Sequence, residues 1–117
     1  MRKLIVKPRA LSEQRQTLQY SRRKFGTRAA RAYEALIRRA FQLLRADPAR
    51  AGVRQLEELG SDFSLFHLRH ARTHGAAPKH ARHIIVFTYD DMTLTILRVL
   101  HDSMDIAERV GDDANEA

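Results

Sequence analysis

The chain has 117 residues, 44% hydrophobic and 30% charged, with no cysteine, no tryptophan and a formal net charge of +7. That length suits one domain able to bury roughly two thirds of the surface its unfolded form exposes, and the absence of cysteine excludes a disulfide-stapled scaffold. The opening MRKLIVKPRA places only Leu4, Ile5 and Val6 in succession before Lys7 and Pro8, far short of a signal-peptide core or a membrane span, so a soluble cytoplasmic protein with no membrane partner is expected.

Residues 3–7, KLIVK, predict a short strand stopped by Pro8, which cannot donate to a ladder but suits the first turn of a helix. From about Arg9 to Lys24 the pattern is helical and polar, with a narrow apolar face formed by Leu11, Leu18 and Phe25. Gly26 is placed to end this helix and Thr27 to cap the next. In the second helix Tyr33, Leu36, Ile37, Ala40, Phe41 and Leu44 mark one buried face, while Arg31, Arg38, Arg39 and Arg45 lie opposite. Asp47 and Pro48 end it. A turn this short around Gly26 requires an antiparallel helical hairpin.

A loop containing Gly52 and Gly60 leads to three strand-like segments, Phe63 to Arg69, His83 to Tyr89 and Leu94 to His101. The last two are joined through Asp90, Asp91, Met92 and Thr93 as a hairpin. Their nearly continuous apolar character predicts strands covered on both faces or packed at an interface. Residues 70–82 contain Gly75 and Pro78 and read as an exposed loop. The predicted order is therefore β-α-α-β-β-β, an α+β domain over residues 1–110 with a helical hairpin on a mostly antiparallel sheet; residues 111–117 read as an acidic, disordered tail.

Charge is unevenly laid out. Residues 2–50 hold fourteen Lys or Arg against Glu13, Glu34 and Asp47, whereas from His101 onward six acids face Arg109 alone. Such a basic body attracts polyanions, nucleic acid or an acidic protein segment, through a salt-sensitive field. A solvated basic surface kept for solubility explains the same charges, and charge alone does not separate the two.

Element order, chain length and three segments resemble the ParE/RelE superfamily of toxins from type II toxin-antitoxin modules. The segments are residues 40–48, AFQLLRADP; 83–89, HIIVFTY; and above all 96–105, ILRVLHDSMD. The last is similar to the strand, followed by a Met-Asp or Arg-Asp pair, of ParE-like members. The resemblance runs from Lys3 to about Val110 and implies the RelE/ParE-like fold. It also implies a ParD-like or similar antitoxin as partner in a hetero-oligomer. RelE-like members are ribosome-dependent messenger RNA endonucleases, whereas ParE-like members inhibit DNA gyrase and block replication; one fold hosts both.

Cleaving RNA requires groups to move protons and cations to hold the phosphate. RelE-like toxins supply these partly from a basic, tyrosine-bearing C-terminal segment. Here the residues after His101, DSMDIAERVGDD, carry no lysine, no tyrosine and only Arg109. This departure favours a gyrase-inhibiting toxin that is not itself an enzyme. If the chain does cut RNA, Arg82, Arg98 and His101 are the candidate catalytic residues, with Arg69 and Arg72 nearby in sequence. A non-toxic, basic nucleic-acid-binding module is the third alternative.

Arg98 lies two residues from both Ile96 and Leu100, and strict alternation would put all three on one face. A buried guanidinium needs a partner, and Asp102 and Asp105 are the nearest acids. Arg98, His101, Met104 and Asp105 are the candidates for target binding. A histidine can serve as an acid or base, but without a partnered nucleophile in the sequence His101 reads first as a hydrogen-bonded strand-end residue. His67, His70, His74, His80 and His83 lack a metal-ligand spacing, so neither a metal nor another cofactor is expected. The resemblance implies an antitoxin segment that wraps the hairpin and sheet, and it is expected to dock between the helix pair and the sheet through Leu11, Leu18, Tyr20, Arg31 and Arg38.

Overall fold

In the computed structural model, residues 1–56, 62–73, 75 and 78–110 are described. Gly60, His74 and residues 111–117 lie outside them. Pro8 acts as its chemistry requires: strand β1 (Lys3–Val6) stops, Lys7 stays extended, and helix α1 (Pro8–Phe25) starts with proline in its first turn. Gly26, at φ +94°, ends α1 by donating its N–H to the Arg22 carbonyl, and the same residue precedes α2 (Thr27–Ala46). Thr27 makes no side-chain cap, contrary to the sequence expectation; it is already the first helical residue, and Gly26 occupies the capping position. Strand β2 (Val53–Gln55) follows, then β3 (Ser64–His67), a 3-10 turn (Leu68–Ala71), β4 (His83–Tyr89) and β5 (Thr93–His101). Residues 106–110 are again helical.

The fold is α+β, with the two helices packed on one sheet of order β1-β5-β4-β3-β2. β1 runs parallel to β5, pairing Leu4 with Leu94, and the other neighbours are antiparallel. The described sheet thus has five strands rather than the four read from sequence. β2 is not legible in the sequence because three residues with an exposed Arg54 and Gln55 carry no periodicity. The segment from Phe63 to Arg69 is strand only as far as His67, where the backbone turns into the 3-10 turn.

α2 buries Ala30, Tyr33, Leu36, Ile37, Ala40, Phe41 and Leu44 against Phe66, Ile85, Phe87, Leu94, Ile96 and Val99 on one sheet face. Each large apolar side chain fully buried there contributes about 1.5–3 kcal/mol. The opposite face packs Leu65, Ile84, Val86 and Leu100 against Leu56 and Val110, with Ile106 and Ala107 beside them. β4 and β5 are therefore covered on both sides, as their apolar runs require. On α1 the expected stripe is not a buried face. Leu18 packs on the core, but Leu11 is 39% and Phe25 65% exposed. Arg39 and Arg45 are not simply solvated, since they donate to the carbonyls of Ala71 and Arg2.

A β-bulge interrupts β5. Val86 pairs with Arg98 and Phe87 with Ile96, so Leu97 is the extra residue. Ile96 consequently packs with the helices, while Leu97 and Leu100 belong to the opposite face. The single face expected from strict alternation for Ile96, Arg98 and Leu100 is corrected by that one inserted residue. Among the described residues no helix is long and apolar enough to cross a membrane.

Candidate functional site

β1 covers β5 only as far as Ile96, where the Lys7 N–H makes the last bond of that lane. Beyond it the edge of β5 is met by α1. Glu13 accepts the Val99 N–H at 3.0 Å with Oε1, and both its carboxylate oxygens accept from the Arg98 guanidinium, the shortest contact being 2.7 Å. Arg98 also donates to the Arg109 carbonyl at 3.2 Å and is 4% exposed. Its partner is therefore Glu13, eighty-five positions away, and not Asp102 or Asp105. Asp105 instead caps the helical residues that follow it, its carboxylate accepting the Glu108 N–H at 3.1 Å.

At the C-terminal end of β5, three histidines from three strands lie in one polar network. The Arg69 N–H donates to His67 Nδ1 at 3.0 Å, so the His67 ring proton sits on Nε2 and is donated to Asp102 Oδ2, also at 3.0 Å. Ser103 N–H donates to His101 Nδ1 at 3.1 Å, which fixes the same tautomer there. The Tyr33 hydroxyl accepts the Arg82 N–H at 3.1 Å and shares a hydrogen bond of 2.6 Å with His83 Nδ1; His83 Nε2 then faces the Thr17 hydroxyl at 3.3 Å. His83 and His101 are cross-strand partners whose rings meet edge to face at 5.3 Å.

Burial is the main cause that pushes the His83 pKa down to about 4, with the neighbouring His101 adding to it. Burial likewise raises the Tyr33 hydroxyl above its ordinary value. The His67 hydrogen bond holds Asp102 below the usual carboxylate range, and Arg82, at 3.6 Å, acts in the same direction. At neutral pH His83 is thus a neutral ring held between two hydroxyls.

Thr17, Tyr33, Arg82, His83, His101 and Ser103 form the inner wall of a groove of about 1000 Å³ between the hairpin end and the ends of β4 and β5. Ala29 and Ala32 of α2 leave the space, Tyr20 and Phe25 stand over it 53% and 65% exposed, and Met104 closes the far side. Arg28, Lys79 and Arg82 supply its positive charge, and no carboxylate lines it among the described residues. Of the sequence candidates, the groove brings together Tyr20, Arg82, His101 and Met104. It does not gather Arg98, Asp105, Leu11, Leu18, Arg31 or Arg38; Arg38 is exposed and paired with Glu34. Arg69 lines a separate hollow with Arg54 and His70, and Arg72 is tied to the Pro78 carbonyl.

Sequence reasoning misses Glu13, Thr17, Tyr33, His83 and the His67–Asp102 pair as site residues. Tyr33 belongs by spacing to the apolar face of α2, although a buried tyrosine needs a hydroxyl partner, which is the available signal. Among the described residues no group of three or more potential ligands is placed to hold a metal.

A helical hairpin packed on this mixed five-stranded sheet is an α+β arrangement compatible with the RelE/ParE-like fold. Residues 4–106 match the family described as the ParE toxin of type II toxin-antitoxin system, parDE, and the chain belongs to that family. A cognate antitoxin is thereby implied as its partner. A search among curated proteins finds no match.

Proposed function

We propose that this toxin blocks replication by binding DNA gyrase, without cutting RNA, and that its antitoxin neutralises it by occupying the groove. The carrying observation is the fate of the three groups that RNA cleavage would use. Arg98 is buried on Glu13, Arg82 faces Asp102, and the Nδ1 of His101 is taken by Ser103. Arg98, committed to a carboxylate, does little for a scissile phosphate, and the acidic residues after His101 would repel it. What is left for presentation is a strand terminus with His101 and Met104 at the surface.

The groove favours a partner segment with apolar anchors and acidic groups, since its floor is apolar and its rim cationic. Among the antitoxin contacts read from sequence, Tyr20 is the one that lines it, and Phe25, Arg28 and Lys79 join it.

A supercoiling assay with purified toxin tests the target. Loss of supercoiling, with messenger RNA left intact in a translation reaction, is expected; full supercoiling at toxin excess rejects gyrase. Transcript cleavage that disappears in His101→Ala would establish the ribonuclease instead. Growth unaffected by expression, with salt-dependent DNA binding retained, would favour the nucleic-acid-binding module.

A further inference from the structure

We infer that His67 and Asp102 form a clasp that positions the turn of residues 101–104, and that target binding depends on it. The inference rests on the reading that this strand terminus contacts the target. Beyond His101 the chain leaves the sheet, and one further ladder bond, from Asp102 N–H to the Arg82 carbonyl at 2.8 Å, continues the β4–β5 pairing. A turn held by so little would fray.

The Asp102 side chain changes this. It reaches past β4 to β3, where it accepts from His67 Nε2 at 3.0 Å, and it faces Arg82 Nε and His101 Nδ1 at 3.6 Å each. A hydrogen bond to an ionised carboxylate is among the stronger kinds. His67 is itself held by the Arg69 N–H, so its donor is already aimed. With Asp102 fixed, the remaining turn closes locally. Met104 N–H donates to the His101 carbonyl at 3.1 Å, and the Ser103 hydroxyl lies 2.7 Å from His101 Nδ1. His101 and Met104, at the two ends of that turn, both line the groove. Neither His67 nor Asp102 lines that groove; they act through the turn.

The test compares His67→Ala and His67→Gln in the full chain, because glutamine keeps an N–H donor where alanine removes it. Amide hydrogen exchange at residues 102–104 is expected to quicken about tenfold in His67→Ala while Ile85 and Val99 keep their protection. The toxin concentration for half-inhibition of supercoiling should rise by a similar factor, and His67→Gln should restore both. Unchanged exchange in His67→Ala overturns the clasp, as does equal loosening of Ile85 and Val99, which would mean general support of the fold. Faster exchange with unaltered potency overturns its role in target binding. Should the unmodified chain not inhibit supercoiling, the gyrase reading falls along with the clasp's role there, and the exchange comparison still decides whether the clasp holds the turn.

Discussion

Tyr33 on α2 and His83 at the start of β4, fifty positions apart, share a hydrogen bond of 2.6 Å that joins the helical layer to the sheet. The same hydroxyl accepts the Arg82 N–H, so one oxygen satisfies a backbone donor and holds a histidine ring nitrogen. Tyr33→Phe keeps the ring packed but leaves both groups without that partner. We expect a loss of about 1–3 kcal/mol in urea unfolding, with little change in the slope. A neutral result would mean that water replaces the hydroxyl.

Acid should weaken the fold through His83. Its pKa of about 4 in the folded chain lies below the ordinary 6.5, so between these values the unfolded chain takes up the proton more readily. This contribution to stability, on the order of 3 kcal/mol, is complete above pH 6.5, falls as pH is lowered and is gone below 4. Asp102, lowered from 3.8, adds a loss confined to still more acidic solution. Unfolding curves at pH 7.5 and 4.5 should differ in midpoint, and His83→Gln should flatten that difference.

Glu13 should be a sensitive position on α1. Glu13→Ala takes the carboxylate from a guanidinium that is 4% exposed, and removing one partner of a buried ion pair costs about 3–5 kcal/mol. Combining Glu13→Leu with Arg98→Met should recover most of the loss, as measured by denaturation midpoints. The remainder reflects the Val99 N–H, which loses its acceptor in either case.

Gly52 is required by both its backbone and its neighbour. Its φ is +98°, and an added Cβ would lie 2.8 Å from Cγ of His70. Gly52→Ala should destabilise by about 1–2 kcal/mol. Adding His70→Ala should return the part due to contact and leave the part due to backbone strain, a separation that a double-mutant cycle measures.

The helical hairpin and the two long strands were legible from local signals. Pro8 and Gly26 mark where backbone geometry must change, the buried face of α2 follows a helical period, and His83–Tyr89 is apolar enough to be a covered strand. β2 was not, because three residues are too few for a period to emerge. Nor was the meeting of His83 with His101. An unbroken hairpin continued from the Tyr89–Leu94 and Phe87–Ile96 pairs would set His83 against Leu100, and the bulge at Leu97 shifts the pairing by one. Nothing in a run of aliphatic residues says where an extra one will be absorbed.

The sequence by itself determined the α+β order, the family resemblance and the need of Arg98 for a counter-charge, since these depend on residue type and spacing along the chain. The tertiary structure alone decided that Glu13 meets that need, that Asp102 turns instead to His67, and that burial keeps His83 neutral beside Tyr33. The physical reason is that burial and hydrogen-bond partnership are properties of the space around a side chain. Packing α1 over the open edge of β5 creates that space from residues that lie far apart in the chain.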